Sequence, residues 1–213
     1  MSKKMLLISF ILFQISCTNT SKTINLPYYN TADFYPIFLN KLDAEKQINH
    51  TIADFSMTDQ HNKTITQKDI ERKIHVANFF FASCGSICPK MTNNLIAFQN
   101  KFKDDKDIVL LSYSVTPWQD SVAVLKNFSK KYKITAPNWH LLTGEKSAIY
   151  KLARQSYFAE ENIGFAKDTS QFMHTEHLLL VDKNKKIRGI YNATLQLEIE
   201  QLIKDVAVLK NEH

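Results

Sequence analysis

Thiols are scarce in this chain. Its 213 residues hold three cysteines, and because Cys17 lies near the N-terminus, Cys84 and Cys88 have no other internal partner and must be read as a pair. Proline is confined to positions 27, 36, 89, 117 and 137, so the last third of the chain has none. No internal repeat or low-complexity tract is present. No apolar run is long enough to span a bilayer as a helix, and the leading candidate, residues 5–13, falls well short. The formal net charge of +6 is spread along the chain, with no basic block beside an aromatic cluster. That distribution argues against nucleic acid as a partner.

The N-terminus carries a recognisable signal. Lys3 and Lys4 precede the apolar stretch and Ile15-Ser16-Cys17 follows it, the layout of a secretory signal peptide over residues 1–16. A signal that ends on a cysteine instead of Ala-x-Ala resembles that of a bacterial lipoprotein, whose mature chain would begin at a lipid-bearing Cys17. Gln14 stands where an aliphatic residue is usual. The alternative is ordinary secretion with Cys17 removed or left free. Both readings place the protein in the cell envelope, outside the cytoplasm, where a vicinal thiol pair can persist as a disulfide. The remaining length suits one domain.

Residues 17–50 read as a tether and N-terminal arm. Small polar residues fill 18–22, and the aromatic, proline-broken segment 26–38 suits an extended arm better than a helix. The domain proper is expected over 51–211. Residues 52–55 and 64–66 form a hairpin around a polar turn at 58–63. Residues 74–81 have the composition and length of a buried strand, and apolar residues at 91, 95, 98 and 102 predict a helix over 89–102. A strand at 108–115, a helix at 121–132, a short strand at 139–142 and a helix at 146–153 follow. Strands at 178–181 and 187–191, joined by a turn at 182–186, and a closing helix over 195–209 complete the pattern. The alternation implies a parallel portion of sheet, and the short turn an antiparallel pair. A βαβ unit followed by an antiparallel hairpin and a final helix is the thioredoxin-like α/β arrangement, here with an added N-terminal β-hairpin and arm. The stretch 155–172 reads as an irregular loop, long enough to have a use in metal binding or partner contact.

Cys84 and Cys88 occupy the strand-to-helix turn. Side chains four apart on a helix stand on one face about 5–6 Å apart at Cβ, which permits either a disulfide or chelation of a metal by two thiolates. Pro89 fits the first helical turn and would put Cys88 at the positive end of the helix dipole, where a thiol pKa falls. A purely structural disulfide is the bland alternative. Two sulfurs suit Cu(I), and a neutral imidazole as third ligand would let the site hold Cu(II) as well. Structural zinc would want four protein ligands. Among the histidines, His213 is terminal, His50 and His61 lie in polar and exposed surroundings, and His75 and His140 read as structural. His174 and His177 remain, and on a strand they would point to opposite faces.

Residues 78–89, Asn78-Phe79-Phe80-Phe81-Ala82-Ser83-Cys84-Gly85-Ser86-Ile87-Cys88-Pro89, resemble the CxxxCP motif of Sco/SenC proteins. These are thioredoxin-like, copper-binding factors for cytochrome c oxidase assembly. Val115-Thr116-Pro117 is similar to the family's Val-Asp-Pro, and Trp139-His140-Leu141-Leu142-Thr143-Gly144 to its Trp/Leu-Thr-Gly segment. His174-Thr175, ahead of Asp182, falls where the family has its ligand histidine. The resemblance runs from about residue 52 to 209. It implies a redox-active pair, Cys84 and Cys88, and a copper site, for Cu(I) or Cu(II), made of Cys84, Cys88 and His174. It also implies delivery to the CuA site in cytochrome c oxidase subunit II, or exchange with another copper or thiol carrier, from a membrane reached through a lipid anchor. Thr116 and Met173 stand where the family has acids, so two negative charges of that site are absent.

Two other functions use the same fold. A thiol-disulfide oxidoreductase of the cell envelope would hold no stable metal. General oxidoreductases of this fold use CxxC with a cis-proline opposite, and neither is present here. A dedicated reductant of oxidase cysteines stays compatible with the resemblance. A thiol peroxidase is disfavoured, because Phe81 stands three residues before Cys84 where an activating Thr or Ser would be needed.

Overall fold

A computed structural model describes residues 25–159 and 175–212. Its centre is one seven-stranded sheet in the order β2-β1-β5-β4-β3-β6-β7. The strands are β1 (Ser56–Asp59), β2 (Thr64–Thr66), β3 (Ile74–Phe80), β4 (Ile108–Ser114), β5 (Trp139–Thr143), β6 (His177–Val181) and β7 (Ile187–Asn192). Strands β3, β4 and β5 are parallel, and the pairings β3–β6, β6–β7, β1–β5 and β1–β2 are antiparallel. The helices are α1 (Lys41–Gln47), α2 (Gln67–Ile70), α3 (Ile87–Phe102), α4 (Val122–Lys131), α5 (Lys146–Lys151) and α6 (Gln196–Asn211). The thioredoxin-like α/β fold expected from the alternation is the observed one.

Period-two alternation along β3 divides the core between the two faces of the sheet. Ile74, Val76 and Phe80 pack with Met91, Leu95, Phe98 and Phe102 of α3, Leu125 and Phe128 of α4, and Ile199, Leu202 and Val206 of α6. Ala77 and Phe79 face the other way, toward Tyr113, Ile149, Ala153 and Tyr157. The four apolar positions that predicted α3 are all buried. Both cysteines lie on the α3 face.

Two elements depart from the sequence reading. The first hairpin strand is β1, not residues 52–55, and the turn is correspondingly tighter. Asp59 Oδ1 accepts from the N–H groups of His61 and Lys63 at 2.8 and 2.9 Å, and Asn62 takes a left-handed backbone, φ 61°, so the chain reverses immediately after Asp59. Ile52 N–H instead donates to Lys185 O at 2.9 Å. A short helix that the sequence did not announce, α1, also follows the 26–38 segment, started by an Asn40 cap that accepts from Asp43 N–H.

The rest of the arm guards the edge of the sheet. Tyr28 bridges Ile37, and Tyr29 bridges Ile187 of β7. The Arg188 guanidinium lies 3.9 Å from the centre of the Tyr28 ring and donates to Pro27 O and Leu26 O. No helix among the described residues is long and apolar enough to cross a membrane.

Candidate thiol site and its relatives

The chain leaves β3 at Phe80 and turns through residues 81–86 before α3 begins. Cys84 N–H closes part of that turn onto Phe81 O at 3.2 Å. Ser86 is the N-cap of α3, yet its side chain caps nothing. The Cys84 sulfur stands before this helix start, and the backbone amides of Cys88, Ser86 and Ile87 lower its pKa. A helix start leaves its first N–H groups without partners, so the sulfur sits where a partial positive charge is concentrated.

Both thiols are free, and they are not alike. Cys84 stands at the margin of the surface, 9% exposed, and Cys88 behind it at 1%. Burial pushes Cys84 up, but the amides of Cys88, Ser86 and Ile87 and the Cys88 thiol outweigh it and hold Cys84 below the usual thiol range. Burial pushes Cys88 up to about 12, helped by its hydrogen bond to Cys84 and by the charge that forms there, against the opposing Phe81 N–H. The helix dipole therefore favours the thiolate of Cys84, not of Cys88 as the position of Pro89 suggested. Cys88 is already inside the first turn of α3, packed in the core, whereas Cys84 precedes the helix at the margin of the surface.

The histidines separate cleanly. His75, 1% exposed, lies on β3 away from the cysteines and meets the Tyr157 hydroxyl at 3.0 Å. His140 Nδ1 pairs with Asp59 Oδ2 at 3.0 Å. Both are structural. His50 is not exposed as expected: it is half-buried, its Nε2 donates to Ser156 O at 2.8 Å, and its ring stacks on Phe158 at 4.2 Å. The antiparallel register sets Asn78 opposite Leu178, so β6 begins at the end of the sheet from which the cysteine turn departs. His177 opens that strand, half-buried. His174 and Met173 lie outside the described residues, as does Cys17. Among the described residues no group of three or more His, Cys, Asp or Glu could hold a metal ion.

Of the 155–172 stretch, only 155–159 is described, and that part is ordered packing. A π-helical turn over Leu152–Ser156 inserts Tyr157 fully into the core, its hydroxyl against both His75 and Tyr113.

One residue at this end of the sheet went unnoticed in the sequence. Asp120, 1% exposed, accepts through Oδ2 from Ala82 N–H at 3.0 Å, from the Ser114 hydroxyl at 2.6 Å and from the Thr116 hydroxyl at 3.1 Å. Thr116 thus donates to a carboxylate instead of supplying one. In the sequence Asp120 looks like an ordinary acid beside the start of α4.

A parallel β3-β4-β5 core extended by an antiparallel β6–β7 pair, with a dithiol turn entering α3, defines a thioredoxin-like protein with a CxxxC site. The sequence profile described as SCO1/SenC matches residues 43–211, and the chain belongs to that family. It is 29% identical over 161 residues to the SCO1 protein homolog of Bacillus subtilis (strain 168), covering 75% of this chain and 82% of that one. A SCO1/SenC family lipoprotein from Bacillus anthracis str. Ames has a similar structure, with TM-score 0.67 and 30% identity over 77% of this chain and 97% of that one. So does BsSco, a member of the Sco family of cytochrome c oxidase assembly proteins in which a disulfide switch has been identified. There the TM-score is 0.65 and the identity 28%, over 78% of this chain and 96% of that one.

Proposed function

We propose that the chain is a metallochaperone of the cell envelope, tethered through a lipid on Cys17, that carries copper to the CuA site of cytochrome c oxidase subunit II. Copper is its cargo, held by the thiolates of Cys84 and Cys88 and the imidazole of His174. The observation that carries this reading is the pair of free thiols on the β3–α3 turn, at the end of the sheet where β6 starts three residues after His174, in a chain of the SCO1/SenC family. Two soft sulfurs favour Cu(I), and an imidazole extends the donor set to Cu(II). Domain limits of 17–50 for tether and arm and 51–211 for the folded unit accompany the proposal.

The inequality of the thiols favours a second use of the same pair, reduction of the acceptor's cysteines before copper arrives. Cys84 thiolate attacks one sulfur of the partner disulfide and displaces a partner thiolate. Cys88 then loses its proton and attacks the Cys84 sulfur, forming the Cys84–Cys88 disulfide and releasing the second partner thiolate. Two electrons pass to the partner; the Cys88 proton goes to one partner thiolate, and the other takes its proton from solvent.

The test is transfer from the Cu(I)-loaded full chain to a copper-free, reduced oxidase subunit II domain, followed anaerobically by recovery of copper with each protein. Copper moving to the acceptor at a rate that depends on the presence of both cysteines is the expected result. Retention of copper on the loaded chain would overturn delivery, and a parallel run with the acceptor disulfide-bonded reads the reductant role separately.

A further inference from the structure

We propose that Asp120 is the positioning residue of the dithiol turn: its buried carboxylate, bound to Ala82 N–H, fixes the turn that carries Cys84 to the start of α3. The inference rests on Cys84 and Cys88 being the working thiols.

The geometry makes Asp120 a junction between two loops. Ala82 lies two residues before Cys84 and, through its N–H, ties the dithiol turn to Asp120 at 3.0 Å. The same oxygen takes the Ser114 and Thr116 hydroxyls, and Ser114 Oγ also accepts from Thr116 N–H at 3.2 Å. Backbone bonds from Gln119 and Asp120 to Thr116 O, at 2.8 and 2.9 Å, wind the intervening residues into a tight turn. Asp120 is thus held from its own side by β4 and its following loop, and it reaches across to the cysteine side with a single contact. Removing the acceptor would leave three donors without it, one of them on the dithiol turn, and a buried donor left unpaired is costly enough to move a loop. Movement of residues 81–83 carries Cys84 with it, because Cys84 N–H is bound to Phe81 O.

Thiol reactivity reads the turn directly. In the full chain carrying Cys17→Ser, so that Cys84 and Cys88 are the only thiols, iodoacetamide alkylation of each cysteine is measured by mass spectrometry. The equilibrium constant of the pair with glutathione is measured alongside. Asp120→Ala is expected to lower the Cys84-to-Cys88 rate ratio at least tenfold and to shift the glutathione constant by about tenfold, which is about 30 mV for a two-electron couple. Asp120→Asn keeps an acceptor for Ala82 N–H and should fall between the two, which also covers an Asp120→Ala chain that fails to fold. Ser114→Ala with Thr116→Val removes the other donors and leaves the Ala82 contact. That variant should lose thermal stability while keeping the wild-type rate ratio. Asp120 variants that are less stable but have the wild-type ratio and glutathione constant would overturn the proposal. A wild-type chain whose thiols neither bind Cu(I) nor exchange with glutathione would overturn the functional reading instead, and the alkylation ratio would still judge Asp120.

Discussion

The backbone amide and the thiol of Cys88 both lower the pKa of Cys84, so one cysteine of the pair stabilises the thiolate of the other. Cys84 is held below the usual thiol range while Cys88 is pushed up to about 12. Between neutral pH and pH 9, alkylation of the reduced chain should therefore modify Cys84 first. In Cys88→Ser the Cys84 rate should change only a few-fold, because the Ser86 and Ile87 amides and the backbone N–H at position 88 remain. Peptide mapping after brief exposure to iodoacetamide checks the order, and modification of Cys88 first would contradict it.

Copper binding should release protons. Cys88 is protonated at pH 8 and must give up its proton to become a ligand. Between one and two protons per Cu(I) are expected in weakly buffered solution, read with a pH indicator. Release of none would mean that Cys88 does not ligate as a thiolate.

His75 makes the fold sensitive to acid. Burial holds it down to about 3, so below its ordinary value the unfolded chain binds a proton that the folded chain does not. Its contribution to stability is complete above about pH 6.5 and is lost as pH falls toward 3, with a slope approaching about 1.4 kcal/mol per pH unit. Urea melts at pH 7, 6, 5 and 4 should show a decline that is shallower in His75→Gln.

Two glycines should respond oppositely to alanine. A Cβ on Gly189 would overlap the Tyr191 ring, whose hydroxyl donates to buried Asp205 at 2.7 Å. Gly189→Ala should cost about 1–3 kcal/mol. Gly85, between the cysteines, has nothing within 4 Å of the place a Cβ would take and no left-handed backbone, so Gly85→Ala should leave both stability and the alkylation ratio near wild type. Thermal melts of the two variants decide this.

Phe79, on β3 just before the dithiol turn, is fully buried and stacked on Tyr113 with ring centres 5.2 Å apart. Phe79→Ala should destabilise the chain by about 3–5 kcal/mol, measured by urea unfolding.

The sheet was legible because its signals are local and agree. β3 reads as a β-branched and aromatic run of buried-strand length, and the buried face of α3 repeats at helical spacing. The first hairpin was misplaced because its turn is set by one side chain, Asp59, accepting two amides, which composition does not reveal. The cysteine pair was visible from scarcity alone, yet the order of its acidities was not. That order depends on which sulfur lies outside the helix and which lies in the core, and the helix starts at Ile87, two residues before the position that the sequence predicts. Asp120 escaped notice because its three donors come from β4, from the loop after it and from the turn after β3, a convergence that exists only in the folded chain.

Whether Cys84, Cys88 and His174 together hold copper is tested most directly by anaerobic Cu(I) titration of the reduced full chain carrying Cys17→Ser, against a competing chelator. One tight equivalent is expected, weakened at least tenfold by each of Cys84→Ser, Cys88→Ser and His174→Ala. Binding no tighter in the parent chain than in those variants, with thiols that still exchange with a disulfide, would contradict the copper site and leave a redox protein in which His174 is structural.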